Sequence, residues 1–395
     1  MAKDQERVNR ARRILQEAGL DVVICRLPEN VLYLTGYWPV IGASLVVFDQ
    51  DGNTSVIMPH EELDYTHESW VEDIRTFPYI NMTSPADPNR AVEPLLRAVI
   101  KEKGYEKSRV GYEGSFELIA ANNVAAEARV PGEALFATLR KVLPEASLVD
   151  AAPALKRARA VKSSQEIEKL RICNEVAVFG LKAAREVIQA GAKESTVAGA
   201  IEGAIYGGGV GYKGVERARG FCFAMSGPRG VNAWRPFCMS SSKTMVEGEP
   251  VLIELDTFAD GYYNDLTRTF TVGKPSQKAI PVFEAVNAAI DAVLDNLKPG
   301  VAARELDAVA RKVIIERGYG EYFPHQLGHG VGLQFHDPIP TLHPGSEDIM
   351  EVGMTFAIEP AIYIPGWGAV RIEENIVLTE TGYESLCPFP RWELA

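Results

Sequence analysis

The chain has 395 residues, of which 46% are hydrophobic and 24% are charged, and its formal net charge is −12. This length predicts two domains with a large buried core, and the composition is typical of a globular protein. The acidic balance disfavours nucleic acids and anionic membranes as partners, because both repel negative charge. The five cysteines form no CxxC pair, so we expect reduced thiols and a cytoplasmic location.

The first part of the chain alternates between helical and strand patterns. Apolar residues at helical spacing predict a helix over residues 5–19. Short apolar runs predict strands at 21–25, 44–48 and 109–112, with a helix at 91–103 before the last of them. Such alternation is typical of an α/β domain.

An alanine-rich basic stretch, Ala151–Ala160, predicts the crossing into a second domain. We therefore expect an N-terminal domain over residues 1–158 and a second domain over residues 159–395. Ser163 and Glu166 have the spacing of a capping box and predict the start of a long helix.

The second domain is predicted to contain two helix pairs, each followed by strands. The predicted helices cover 163–189, 195–205, 277–297 and 303–317. The predicted strands cover 221–225, 250–258, 262–272, 355–364 and 369–378. Between the last helix and the last strands lies His329, flanked by glycines, in what we expect to be a turn.

A hairpin with an Asp-Gly turn at residues 260–261 is the first candidate for chemistry. A two-residue turn places Asp256 opposite Asp265 and Glu254 opposite Thr267. Glu254 and Asp256 share a face of their strand, so three carboxylates point to one spot. If these carboxylates are buried, they become neutral or bind a cation. The alternative is that they lie on a solvated edge of the hairpin, where they need neither.

Two further glutamates lie in strand-like segments near the C-terminus. Glu359 lies in the apolar run 356–363, where an unpaired carboxylate would be costly. Glu373 is two residues from Arg371, on the same predicted face, so a structural Arg–Glu pair is the alternative to a metal ligand. His325, His329 and His336 precede them and are the candidate imidazoles.

Three motifs occur in order at the end of the chain: FPHxxGHGVGxxxHD at 323–337, IEPxIY at 358–363 and VRIEEN at 370–375. With the hairpin they resemble the pita-bread fold enzymes, which include aminopeptidase P, prolidase, methionine aminopeptidase and creatinase. The resemblance implies an α/β (α+β) chain, with a creatinase-like N-terminal domain followed by a pita-bread catalytic domain. It also implies a homodimer.

Metal-dependent members of this family bind two divalent cations through two aspartates, one histidine and two glutamates. By position the last four of these ligands fall on Asp265, His329, Glu359 and Glu373. The first falls on Glu254, and Asp256 falls where the family usually has glycine, so either carboxylate could be that ligand. Further matches are His336 and His325, which correspond to substrate contacts, and Arg371, which corresponds to an arginine behind the ligands.

The chain departs from the family where a catalytic histidine usually follows a Ser-Gly turn. After Ser226-Gly227 this place is taken by Trp234 or Arg235. The missing histidine puts the usual route of peptide hydrolysis in doubt. Arg235 could contact the substrate electrostatically, but being permanently charged it cannot shuttle a proton.

Three functions remain open. The first is a metal-dependent hydrolase of a C–N bond, of the Xaa-Pro peptidase type, with two Mn²⁺, Co²⁺, Fe²⁺ or Zn²⁺ ions. Glu359 would be its general base and His336 would stabilise the oxyanion. The second, like creatinase and ectoine hydrolase, opens a small zwitterionic amide or amidine, with Trp234 as an aromatic wall and no obligatory metal. The third is a binding protein without catalysis.

Overall fold

The computed structural model describes residues 3–79, 87–115, 132–235 and 239–392. These residues form two compact units, and the chain passes from the first to the second between Arg159 and Ala160. Within the described ranges, no helix combines the length and apolar character that a bilayer crossing requires. Four cysteines lie in those ranges and all are buried free thiols: Cys25, Cys173, Cys222 and Cys387.

The first unit is built on a six-stranded mixed sheet with the strand order β4-β3-β2-β1-β5-β6. Its strands are β1 Val22–Cys25, β2 Leu45–Asp49, β3 Thr54–Pro59, β4 Asp73–Phe77, β5 Arg109–Tyr112 and β6 Ser147–Asp150. Its helices are α1 Gln5–Glu17, α2 Pro28–Thr35, α3 Pro88–Lys103, α4 Glu133–Val142 and α5 Ala152–Ala160, the last of which ends at the junction.

Helix α3 begins three residues earlier than its apolar pattern predicts, because capping residues precede that pattern. The Asp87 side chain accepts a hydrogen bond from the backbone N–H of Arg90, and Pro88 occupies the first turn. Such a cap satisfies a backbone donor that has no partner within the helix. Apolar side chains of α3 and α4 pack in one core with strands of the sheet.

The second unit contains three sheets and two helix pairs. The strands are β7 Ala218–Ser226, β8 Pro250–Ala259, β9 Tyr262–Thr271, β10 Gly328–Gly330, β11 Asp337–Leu342, β12 Thr355–Ile358, β13 Ala361–Ile364, β14 Gly368–Arg371, β15 Glu374–Thr379 and β16 Gly382–Ser385. The helices are α6 Ser164–Val187, α7 Glu194–Gly209, α8 Ala279–Asn296 and α9 Ala303–Glu316.

Each helix pair covers one sheet. Helices α6 and α7 share a core with the antiparallel sheet β7-β8-β9. Helices α8 and α9 share another with the sheet β11-β10-β12-β15-β16. The predicted capping box is present at the start of α6, where Ser163 accepts from the Glu166 N–H and the Glu166 side chain accepts from the Ser163 N–H.

The two C-terminal strands that the sequence predicts are each broken into two shorter strands. Residues 355–364 form β12 and β13, and residues 369–378 contribute to β14 and β15. Strand β12 pairs with β15 in the five-stranded sheet, whereas β13 pairs with β14 alone. The prediction of continuous strands is therefore wrong, and both breaks fall at candidate site residues.

The prediction that His329 lies in a turn is also wrong. His329 is the middle residue of β10, which pairs with β11 on one side and β12 on the other. A Cβ atom at Gly328 would overlap the backbone oxygen of Ala357, and one at Gly330 would overlap that of Ile339. The flanking glycines therefore permit close approach of neighbouring strands rather than a change of chain direction.

Candidate metal centre

The β8–β9 hairpin has the predicted register. Asp256 lies opposite Asp265 and Glu254 lies opposite Thr267. Because strand residues two apart share a face, the three acidic side chains lie on the same side of the sheet. Each of the three carboxylates has one oxygen that lies within 4.8 Å of an oxygen of the other two. The predicted convergence of three carboxylates is therefore confirmed.

The two breaks in the C-terminal strands add two more carboxylates beside this hairpin. Glu359 follows β12, and its backbone N–H donates to the Leu327 oxygen at 2.8 Å. Glu373 precedes β15, and its N–H donates to the Thr267 oxygen at 3.0 Å. Glu359 and Glu373 each place an oxygen within 4.8 Å of the other and of a His329 ring nitrogen.

His329 presents one ring nitrogen to the carboxylates. Its Nδ1 lies 2.9 Å from the Gly330 carbonyl oxygen, which can only accept, so Nδ1 carries the proton. Nε2 then has a free lone pair, 3.5 Å from Asp265 Oδ2 and 3.7 Å from Glu359 Oε1. Burial, with a smaller effect of His336, lowers the pKa of His329 to about 4. A neutral imidazole with a fixed tautomer is what a metal ligand requires.

Burial also shifts the acidic groups. It raises the pKa of Asp256, Glu359 and Glu373 well above ordinary carboxyl values, and the charge of Asp265 adds to each of these shifts. Burial acts to raise the pKa of Asp265 as well, but the hydrogen bond from His336, the two neighbouring imidazoles and a hydrogen bond from Asp256 outweigh it, so that pKa is lowered. Without a cation, burial therefore favours the protonated forms of Asp256, Glu359 and Glu373.

Several of their oxygens lack partners. Asp256 Oδ1, Asp265 Oδ1 and Glu373 Oε1 are buried and, among the described residues, accept no hydrogen bond. Buried polar atoms are ordinarily satisfied, so oxygens left free beside a bare imidazole nitrogen suit a cation. The donor set of carboxylates and one imidazole fits divalent transition metals.

Arg371 interacts with Glu373 through their opposite charges, as the sequence suggests, and it also contacts two further glutamates. Its guanidinium forms ion pairs with Glu254 and, at 3.7 Å between Nη1 and Oε2, with Glu359. Its Nε donates to Thr267 Oγ1 at 2.8 Å. Strand β14 ends at Arg371, so the alternation of faces does not carry on to Glu373, which receives the Thr267 hydroxyl at 3.0 Å instead.

His336 and His325 occupy different environments. The half-exposed His336 ring has its Nε2 3.2 Å from Asp265 Oδ2, and its centroid lies 3.9 Å from that of His329. His325 donates through Nδ1 to the Gln326 oxygen at 2.8 Å, and its Nε2 accepts from the Tyr363 hydroxyl at 3.0 Å. His336 therefore borders the carboxylate cluster directly, whereas His325 reaches it through a tyrosine.

Tyr363 and Thr267 are two members of the site that sequence reasoning did not single out. The Tyr363 hydroxyl receives a hydrogen bond from Arg371 Nη1 at 3.3 Å, and Thr267 links Arg371 to Glu373. A signal for Tyr363 was available, because it is the last residue of the IEPxIY motif. Thr267 could have been found from its register position opposite Glu254.

Trp234 and Arg235 lie on the surface. Trp234 is 41% exposed, and the Arg235 guanidinium carbon lies 5.4 Å from the centroid of its indole. The preceding residue, Ala233, packs in an apolar cluster with Tyr363 and Ala369 of the β13–β14 hairpin. Neither Trp234 nor Arg235 takes part in the carboxylate cluster.

Comparison with known families identifies the chain. The model of metallopeptidase family M24 matches residues 168–380, and that of the creatinase/prolidase N-terminal domain matches residues 7–161. The chain belongs to metallopeptidase family M24. The predicted family, fold class and hydrolase class are thereby confirmed. Two M24 relatives are the Xaa-Pro dipeptidase of Lactobacillus helveticus, 31% identical over 94% of both chains, and that of Pyrococcus furiosus, 30% identical over 97% of both.

Solved M24 structures agree over the whole chain. The prolidase from Pyrococcus horikoshii OT3 superposes with a TM-score of 0.77, at 29% identity, over 99% of this chain and 100% of that one. The prolidase from Pyrococcus furiosus gives 0.74, at 28% identity, over 96% of this chain and 100% of its own. The resemblance therefore extends to both units of the M24 protein.

Proposed function

We propose that this M24 protein is a metal-dependent peptidase that cleaves Xaa-Pro peptides. The observation that carries the proposal is that Asp265, Glu359 and Glu373 each place a carboxylate oxygen close to a ring nitrogen of His329, whose Nε2 has a free lone pair. Buried oxygens of Asp265 and Glu373 have no hydrogen-bond partner among the described residues. The names of the relatives, which are Xaa-Pro dipeptidases and prolidases, support the substrate class.

These four residues, together with a carboxylate of Glu254 or Asp256, would hold two divalent cations, of which we propose Mn²⁺. When bound, the cations supply positive charge that polarises a substrate carbonyl and lowers the pKa of an adjacent water. Assembly as a homodimer and a cytoplasmic location stay predictions from the sequence.

Different side chains of the protein would accept the proton of the water and stabilise the developing negative charge. Glu359 lies between His329 Nε2 and Arg371, and would accept the proton of the attacking water. His336 is half exposed at the edge of the cluster, and would donate to the oxygen on which negative charge develops. His325 would act through Tyr363, by holding that hydroxyl near Arg371.

His336 gives the sharpest test, because it is not among the proposed metal ligands. With an Xaa-Pro dipeptide and added Mn²⁺, His336→Gln should lower kcat by about 10²-fold, the usual effect of removing one stabilising donor. Its metal content should stay unchanged. His343→Gln, at an exposed loop position, is the matched control. Equal kcat values for the two variants would contradict the role of His336.

The resemblance places Trp234 or Arg235 where the family usually has a histidine, and this favours a second candidate, hydrolysis of a small zwitterionic amide or amidine. An exposed indole with a guanidinium beside it offers both an aromatic face and a positive charge. Trp234→His separates the candidates. It should raise Xaa-Pro cleavage if the protein is a peptidase, and it should abolish turnover of the native amide if that is the substrate.

A further inference from the structure

By the resemblance drawn from the sequence, the first metal-ligand position falls on Glu254, and Asp256 lies two residues further along β8. Glu254 and Asp256 both place an oxygen within 4.8 Å of Asp265, so distance alone does not distinguish them. Their partners do. The inference below rests on the proposed function, since it concerns the same metal centre.

Glu254 is already paired. It forms an ion pair with Arg371, and the Thr267 hydroxyl lies 3.4 Å from its Oε2. The Arg371 side chain is only 5% exposed, so withdrawal of Glu254 towards a cation would weaken the neutralisation of a buried guanidinium. Leaving one member of a buried ion pair uncompensated is strongly unfavourable.

Asp256 is in the opposite situation. It is 8% exposed, and within the described part of the chain neither a cation nor a hydrogen-bond donor contacts its Oδ1. It faces Asp265 across the hairpin, where Asp265 Oδ1 is also buried and free. Unpaired carboxylate oxygens on directly opposed strand residues can supply two of the ligands that a cation needs.

The balance of charge at the metal centre also favours Asp256 over Glu254 as the metal ligand. Glu254 and Arg371 cancel each other, and His329 is neutral with Nδ1 protonated. Once bound cations displace their protons, Asp256, Asp265, Glu359 and Glu373 carry four negative charges, which two divalent cations balance. With Asp256 excluded, the pair of cations would leave uncompensated positive charge in a buried site, at a large cost.

We infer that Asp256, in place of the family's first aspartate, is the carboxylate that completes the metal centre with Asp265, and that Glu254 holds Arg371 instead. The ligand has thus moved two residues along β8, which keeps it on the same face of the sheet.

The test compares Asp256→Asn with Glu254→Gln, two substitutions that remove a charge and preserve size. Metal-stripped proteins are titrated with Mn²⁺ by isothermal calorimetry, and bound manganese is counted by elemental analysis. The unaltered protein and Glu254→Gln should bind about two equivalents, and Asp256→Asn about one, with the lost site weakened at least about tenfold. Asp256→Gly, which restores the family's usual residue, should behave like Asp256→Asn.

Thermal unfolding provides a second readout and a check of folding. In EDTA, Asp256→Asn should unfold at or above the temperature of the unaltered protein, because it removes a buried acid that faces another. Glu254→Gln should unfold at a lower temperature, because Arg371 loses one of its two ion-pair partners. Added Mn²⁺ should then raise the unfolding temperature less for Asp256→Asn than for Glu254→Gln.

The outcomes separate this inference from the proposed function. If the unaltered protein binds two equivalents and Glu254→Gln loses one, or both variants lose one, or neither does, the assignment to Asp256 is overturned and the metal centre stands. If the unaltered protein binds no Mn²⁺ at all, the proposed function is overturned as well.

Discussion

The metal-free protein should lose stability as the pH rises above about 6.5, and Glu359→Gln should remove a defined part of that loss. Burial, reinforced by the charge of Asp265, raises the pKa of Glu359 in the folded protein. The folded state therefore binds the proton more tightly than the unfolded state. The stability that this provides is complete below the unfolded pKa and is lost as the pH rises towards the folded one. Glu373 and Asp256 act in the same direction.

The magnitude follows from proton linkage. Each carboxylate that is ionised when unfolded but protonated when folded costs about 1.4 kcal/mol per pH unit. His325 and His329, whose pKa values burial lowers to about 4, act in the opposite sense. They do so only below about pH 6.5, where an unfolded histidine gains its proton. Asp265, with a lowered pKa, is ionised in both states above that pH and adds no slope.

Urea denaturation in EDTA, at pH values from about 6.5 to about 8.5, measures the effect. The free energy of unfolding of Glu359→Gln should fall less steeply than that of the unaltered protein, by about 1.4 kcal/mol per pH unit until Glu359 ionises in the folded state. Glu380→Gln, at an exposed turn, is the control and should follow the unaltered protein. A free-energy difference between Glu359→Gln and the unaltered protein that does not change with pH would refute the reasoning.

Three other substitutions have definite expectations. Arg371→Met should lower the free energy of unfolding, measured in urea, by about 3–5 kcal/mol, because it leaves buried carboxylates unpaired. Its control, Arg391→Met at a surface ion pair, should lower it by about 1 kcal/mol or less. Ser163→Ala should cost about 1 kcal/mol through the lost helix cap, and an unchanged midpoint would contradict that role. His329→Ala should weaken Mn²⁺ binding at least about tenfold in calorimetry, and His343→Ala should not; equal affinities would place the site elsewhere.

The hairpin half of the site could be predicted from the sequence because its rules are local. An Asp-Gly turn sets the register, and the alternation of strand faces then places Asp256 opposite Asp265. The capping box at Ser163 is local in the same way, since both of its hydrogen bonds join residues three apart.

The other half depends on contacts between distant residues, which local rules do not describe. Glu359 and Glu373 lie where the chain passes from one pair of strands to another. An apolar run predicts a strand but does not show whether its neighbouring strand changes part-way along. Pro360, which has no N–H to donate, was the available sign of that break. The pairing of Arg371 with Glu254 likewise joins β14 to β8, so proximity in sequence indicated the interaction with Glu373 but not the ion pair with Glu254.

The central claim is tested most directly by titrating the metal-stripped protein with Mn²⁺ while proline release from an Xaa-Pro dipeptide is followed. Release should be absent at first, rise with added metal and level off near about two equivalents. A full rate in the presence of EDTA, or no proline release from a protein shown to have bound the metal, would contradict the account.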